Sequence, residues 1–273
     1  TRLEVMPRCS LSSAKIGNNC ELTIKKLIIH NYSITLHTQN NNYMKIGIII
    51  AMDKEFDRIS AMLDNTAETI HGGRRYVTGT MGHNTIILHQ CGIGKVNAAA
   101  GTTDMIGTFA PDAVISTGVA GGASTELQVQ EVVAASQTCY HDAYCGSEVA
   151  YGQIIGLPAR FEADARLLDC ATSIDCGTKI HTGLTVTGDW FVDSREKMSQ
   201  IIDRFPEAMA VDMESAAIAH VCHQRGVAFI SFRIISDIPL SDHKAQQYFN
   251  FWDTMADRSF HVTKAFLENI QDK

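Results

Sequence analysis

Three carboxylates stand where chemistry could be done. Glu55 follows the apolar run Lys45-Ile46-Gly47-Ile48-Ile49-Ile50-Ala51 and falls in the first turn of a helical pattern. Glu214 opens a helix after Ala210-Val211-Asp212-Met213, and Asp237 ends the very apolar stretch from Ala228 to Ser236. In open α/β sheets ligands bind beyond the carboxyl ends of the strands. Acids stranded there can act as proton donor, as base or as acceptor for a ligand hydroxyl. Each also has a plainer reading. Glu55 or Glu214 would complement the positive end of a helix, worth about 0.3–1 kcal/mol, and Asp237 would turn the chain before Pro239. Taken together, three acids at one sheet edge make a candidate site.

The other motifs divide into weak and silent ones. Ser116-Thr117-Gly118-Val119-Ala120-Gly121-Gly122 follows the strand-like Ala113 to Ile115, and its glycines would let backbone approach a ligand closely. It fits neither the dinucleotide fingerprint nor the triphosphate loop. Cys91-Gly92-Ile93-Gly94-Lys95 offers only a GxG, the ordinary need of a strand-to-helix turn. His220 and His223 share a helix face, but no further zinc ligands stand near at a clean spacing, so they read as structural and no metal is expected. Tyr140-His141-Asp142-Ala143 lacks a serine elbow and reads as a loop rich in hydrogen-bonding groups.

Positioning these residues requires alternating strands and helices. Strand-like runs cover Lys45 to Ala51, Arg75 to Thr80, Thr85 to Gln90, Ala113 to Thr117, Glu131 to Ser136, Thr178 to Thr187 and Ala228 to Ser236. Helical patterns lie between them, the signature of a mostly parallel sheet flanked by helices. Phe56, Ile59, Met62 and Leu63 share one face, with Asp53, Lys54 and Asp57 outward. Ala98 to Gly101 suits a helix packed tightly on a sheet, Glu214 to Arg225 reads as a helix ended by Gly226, and a long amphipathic helix is expected over Ala245 to Gln271. Gly79 to Asn84 marks a hairpin-like turn.

The whole chain sets outer bounds. Its 273 residues, 45% hydrophobic, can fill one large core, and no linker divides residues 44–273, which read as a single domain. Residues 1–43 are Asn-rich and lack a sustained apolar period; they read as an extension that need not fold with the rest. Neither a targeting peptide nor a transmembrane helix is expected. Arg2, Arg8, Lys15, Lys25 and Lys26 against Glu4 and Glu21 give the extension net +3, leaving −10 of the total −7 on the remainder. So acidic a domain is a poor nucleic-acid binder. Eight cysteines at irregular spacing suggest reduced thiols and a cytoplasmic location rather than a disulfide framework.

At these residues the chain resembles the 5′-methylthioadenosine/S-adenosylhomocysteine nucleosidases of the purine nucleoside phosphorylase group. The resemblance runs from Met44 almost to the C-terminus. It is carried by Ile46 to Ile49 with Ala51 to Glu55, Gly92 to Ala99, Ser116 to Gly122, Tyr140 to Ala143, Thr187 to Phe191, Val211 to Glu214, and Arg233 to Asp237. It implies a three-layer αβα sandwich around a central mixed β-sheet, a homodimer, no cofactor, and release of adenine. By resemblance Asp237 would protonate the purine and Glu55 would activate the attacking water. Met213 and Glu214 would hold the ribose, Phe191 and Val192 would bind adenine, and Val119, Ala120, Gly121, Arg233 and Ser236 would shape the pocket. A neighbouring subunit would cover the 5′-thio group with Tyr144 to Leu157, Val149 and Ile155 included. The chain departs from the family at Val119, Trp190 and Val192, and that covering segment is a residue short.

The implied roles are chemically coherent. Glycosidic cleavage passes through an oxocarbenium-like state, so a proton donor must serve the leaving base and a carboxylate must activate water on the other side. Asp237 would keep its proton through burial, and Glu55 would act ionised. The rival readings are a phosphate-dependent purine nucleoside phosphorylase, a hydrolase of another purine nucleoside, and a non-catalytic nucleoside-binding protein.

Overall fold

The first strand shows how the layers are built. In the computed structural model, which describes residues 43–240, 251 and 260–271, β1 (Lys45–Ile50) is buried on both faces from Ile46 onward. Ile46, Ile48 and Ile50 pack with Phe56 and Ile59 of α1 (Asp53–Ser60). Ile49 points to the other layer, against Ala98 and Met105 of α2 (Lys95–Phe109). Such a run is what a strand covered by helices on both sides requires. Gly47 keeps β1 close to α2, because a Cβ there would collide with Met105.

Between and beyond these lie β2 (Asp64–His71), β3 (Arg74–Met81), β4 (Asn84–Gln90), β5 (Ala113–Gly122), β6 (Val132–Tyr140) and the short β7 (Phe161–Glu162). They continue with α3 (Ala165–Ser173), β8 (Ile180–Thr187), α4 (Arg195–Ile202), β9 (Ala208–Asp212), α5 (Ser215–Arg225), β10 (Ala228–Asp237) and α6 (His261–Asn269). Helices α1, α3 and α6 share the first core and α2 and α5 the second, giving the expected three layers. Gly226, at φ 66°, ends α5 as its C-cap.

The sheet is mixed. β1 runs parallel to β4 and β5, and β5 parallel to β10, while β3 is antiparallel to β2 and β4. β10 then pairs antiparallel with β6, β6 parallel with β8, β8 parallel with β9, and β9 antiparallel with β5. The last five strands named therefore close on themselves. The mostly parallel sheet suggested by strand–helix alternation is corrected, since hairpins and the closure contribute as many antiparallel pairings as parallel ones.

Two expectations change for identifiable reasons. The glycine motif Ser116 to Gly122, expected to follow a strand at Ala113 to Ile115, instead belongs to β5 itself, because β10 pairs along it as far as Gly121 and supplies the ladder bonds that local propensity would not. β2 carries no apolar alternation and passed unnoticed: it is an exposed edge strand, where polar and charged residues guard against further pairing. Of the helix expected over Ala245 to Gln271, the His261–Asn269 portion is present and 245–250 and 252–259 lie outside the described residues. The expected extension, residues 1–43, lies outside them too apart from Tyr43.

Phe232 joins β10 to α6, its ring 4.8 Å from that of Phe266 and fully buried. Phe232→Ala is expected to destabilise the fold by about 3–5 kcal/mol in urea titration.

Candidate active site

Glu55 is built into the first turn after β1. As the third residue of α1 it reaches back to the helix start, where its Oε2 accepts the Met52 N–H at 3.2 Å. Its other oxygen is committed across the sheet: Oε1 accepts the Val119 N–H at 2.8 Å. The approach depends on Gly118, because a Cβ there would lie 2.8 Å from Glu55 Oε1 and 2.9 Å from Arg233 Nη1. Glu55 is 2% exposed, and burial pushes its pKa up to about 7, against the opposing pull of the Val119 amide and the Arg233 charge.

Glu214 sits at the junction of β9 and α5 and is also buried. Its Oε1 accepts the N–H of Gly94 at 2.8 Å, at the start of α2. Burial, reinforced by the neighbouring Asp212 carboxylate, pushes its pKa up to about 7 as well. Asp212 is the anchor for Arg233, whose Nε donates to its Oδ2 at 2.6 Å. Asp212 also accepts from Thr187 Oγ1 at 2.5 Å and from the Ser215 N–H at 3.0 Å, and Arg233 donates further to Ser215 Oγ and Ser116 Oγ. Two desolvated charges are thereby paired and hydrogen-bonded, as burial demands.

Asp237 arrives by a bulge. β10 keeps register with β5 up to Ile235 opposite Ala120, then skips Ser236 to set Asp237 opposite Gly121. Strict alternation would send Ser236 and Asp237 to opposite faces; the bulge turns both to the cavity. Ser236 Oγ lies 2.7 Å from Asp237 Oδ1 as its donor, and Asp237 is 5% exposed.

All eleven residues named from the sequence line one cavity: Glu55, Val119, Ala120, Gly121, Phe191, Val192, Met213, Glu214, Arg233, Ser236 and Asp237. Phe191 is 60% exposed and Trp190 39%, so aromatic side chains form a rim. The cavity also takes in Cys91, Ile93, Ser116, Thr117, Trp190 and Asp212, to which the sequence reading gave no role. Asp212 could have been found from its place one turn ahead of an α5 serine; the others gave no local signal. Burial holds the Cys91 thiol protonated, its pKa pushed up to about 12, so it is no nucleophile. Val149 and Ile155 do not line the cavity within the single chain. The helix-face histidines are occupied by packing: His220 Nδ1 lies 2.9 Å from Tyr140 Oη, and both rings lie against Phe161.

A sequence profile described as the phosphorylase superfamily matches residues 45–269. A 5′-methylthioadenosine/S-adenosylhomocysteine nucleosidase of Desulfotalea psychrophila is 38% identical over 234 residues, covering 84% of this chain and 99% of that protein. This chain belongs to the 5′-methylthioadenosine/S-adenosylhomocysteine nucleosidase family. Among solved structures, the family member from S. pneumoniae with the transition-state inhibitor MT-ImmA superposes with a TM-score of 0.77 at 36% identity, covering 83% of this chain and 99% of that one. The member from Colwellia psychrerythraea, in complex with adenine, gives 0.79 at 32% identity, covering 84% and 97%.

The raised pKa of Glu55 has a stability consequence. In the folded protein it binds its proton up to about pH 7, whereas unfolded it loses it near 4.5. Its contribution is therefore full below pH 4.5 and lost as pH rises through 7, on the order of 3 kcal/mol in all. In urea titrations from pH 4.5 to 7.5, Glu55→Gln is expected to lose that part of the downward slope. A variant slope equal to that of the unmodified protein would refute the shift.

Proposed function

We propose that this chain hydrolyses the N-glycosidic bond of 5′-methylthioadenosine and S-adenosylhomocysteine, releasing adenine and 5′-methylthioribose or S-ribosylhomocysteine. One observation carries the reading: a single cavity holds Glu55 against Gly118–Val119 and Asp237 against Gly121 of the same strand. Two to three residues of strand separate these anchor points, roughly 7–10 Å at the usual rise. That interval suits a glycosidic bond with a water beside it.

In this mechanism Glu55 takes a proton from water as its oxygen attacks the anomeric carbon. A pKa near 7 suits a base working near neutrality. Asp237 donates to the purine, so the base leaves neutral; the water's hydroxyl stays on the sugar. Glu214 accepts from ribose hydroxyls beside Met213, Phe191 stacks on the base, and Val192 reads its edge. Val119, Ala120, Gly121, Ser236 and the Asp212-bound Arg233 shape the pocket around them. No cofactor enters the reaction.

Water rather than phosphate is the nucleophile on electrostatic grounds. Phosphate needs convergent cations, yet Arg233 is the one cationic side chain among the described lining residues and is engaged by Asp212. Lys54 and Arg58 stand on the outer side of α1 and do not line the cavity.

We further take residues 44–273 as the nucleosidase domain and 1–43 as an extension. A homodimer is proposed because Tyr144, Ile155, Trp190 and Phe191 present large apolar surface to solvent in the single chain. The cytoplasmic reading rests on six free cysteines among the described residues. The protein is read as a binder of small nucleosides, not of nucleic acid; among the described residues no helix is long and apolar enough to cross a membrane.

Adenine release from both substrates in phosphate-free buffer is the expected result, and release only on adding phosphate would overturn the reading. Asp237→Asn is expected to lower kcat by about 10²–10⁴-fold, since an amide cannot act as the acid. Calorimetric affinity for the nucleoside should stay within a few-fold, and near-normal turnover would remove Asp237 from the role.

A further inference from the structure

The groups that hold the aromatic rim in place lie outside the cavity. Lys95 Nζ donates to both carboxylate oxygens of Asp142 at 2.7 Å and lies 3.7 Å from Asp189 Oδ2. The backbone completes the circuit: the Asp189 N–H donates to Asp142 Oδ2 at 2.9 Å, and the Lys95 N–H donates to Asp189 Oδ1 at 2.8 Å. Three distant segments are thus tied together: the start of α2, the turn after β6 and the turn after β8. Asp142 and Lys95 are 10% and 25% exposed, a setting in which an ion pair holds its geometry better than at an open surface.

The circuit adjoins both halves of the proposed ligand site. The residues directly after Asp189 are Trp190 and Phe191, the cavity rim. The residue directly before Lys95 is Gly94, whose N–H holds Glu214. Gly94 has φ 96°, and a Cβ there would sit 3.0 Å from Asp189 Oδ1, so the Asp189 carboxylate approaches this helix start closely because it is glycine. Behind the rim, the ring of His141 packs edge-on to Trp190 at 5.4 Å, adding apolar contact.

We propose that Lys95, Asp142 and Asp189 form a positioning latch that sets the base-stacking rim and the ribose-binding glutamate in one fixed relation. The proposal rests on the nucleosidase reading given above. None of the three lines the cavity, so they act through Trp190, Phe191 and Glu214. Loosening the latch weakens contacts made alike in ground and transition states, which raises KM more than it lowers kcat.

The test is steady-state kinetics of Lys95→Met, which keeps the side chain's stem and removes its charge. KM for 5′-methylthioadenosine is expected to rise about tenfold with kcat within about threefold, and adenine should weaken as a product inhibitor by a similar factor. Asp142→Asn should raise KM in the same way, and the double variant should be little worse than Lys95→Met alone. Lys95→Arg should recover part of the loss. If Lys95→Met does not fold, Asp189→Ala carries the same expectation, because it removes the carboxylate that ties the rim to the Lys95 N–H while leaving the Lys95–Asp142 pair and the Asp189 N–H bond in place. A folded variant with unchanged KM and unchanged adenine inhibition overturns the latch. The unmodified protein run alongside separates the two ideas: if it releases no adenine the nucleosidase reading falls, whereas a turning-over parent with an unaltered variant removes the latch alone.

Discussion

A single buried cation orders the interior of the cavity. Arg233 is 3% exposed, and a guanidinium so placed is tolerable only with its charge matched and its donors used. Asp212 supplies the charge and shares the Nε–H with Ser215 Oγ, Ser116 takes an N–H of Nη2, and Thr187 fills an oxygen of Asp212. Four strands and a helix start therefore meet at one ion pair. Because Arg233 and Asp237 share β10, whatever fixes the arginine also fixes the strand that delivers the acid. Because Glu55 and Arg233 are kept apart by no more than the missing side chain of Gly118, the same cation moderates the acidity of the base.

Glu55 and Glu214 show how burial and charge divide the work. Both lie out of water, and desolvation raises both, yet their supports differ. Glu55 is held by two backbone amides, Glu214 by one, and Asp212 pushes only on the latter as a leading influence. Neither is a surface acid that merely decorates a helix end. Each does complement a helix start, so the plainer explanation is partly correct; the helix end was also used to aim the carboxylate.

Much of this was legible where the chain itself carried the signal. Glu55, Glu214 and Asp237 each come within a few residues of the end of an apolar run, and a strand's end is a place the sequence marks. The glycines of Ser116 to Gly122 were visible too, but their reason was not: Gly118 is required by side chains from α1 and β10, far away in sequence. The same holds for Asp212 and for Lys95, Asp142 and Asp189, whose partners lie tens of residues distant. β2 escaped because an exposed edge needs no hydrophobic period, and the bulge at Ser236 because only a neighbouring strand defines it.

The joining of β5, β10, β6, β8 and β9 into a ring carries a further meaning. A hoop of hydrogen bonds has no loose flank along which to splay, so its girth resists dilation. Changes in the outline of the ligand cavity are left instead to the part of its lining that stands outside the hoop, such as Met52, Cys91 and Ile93.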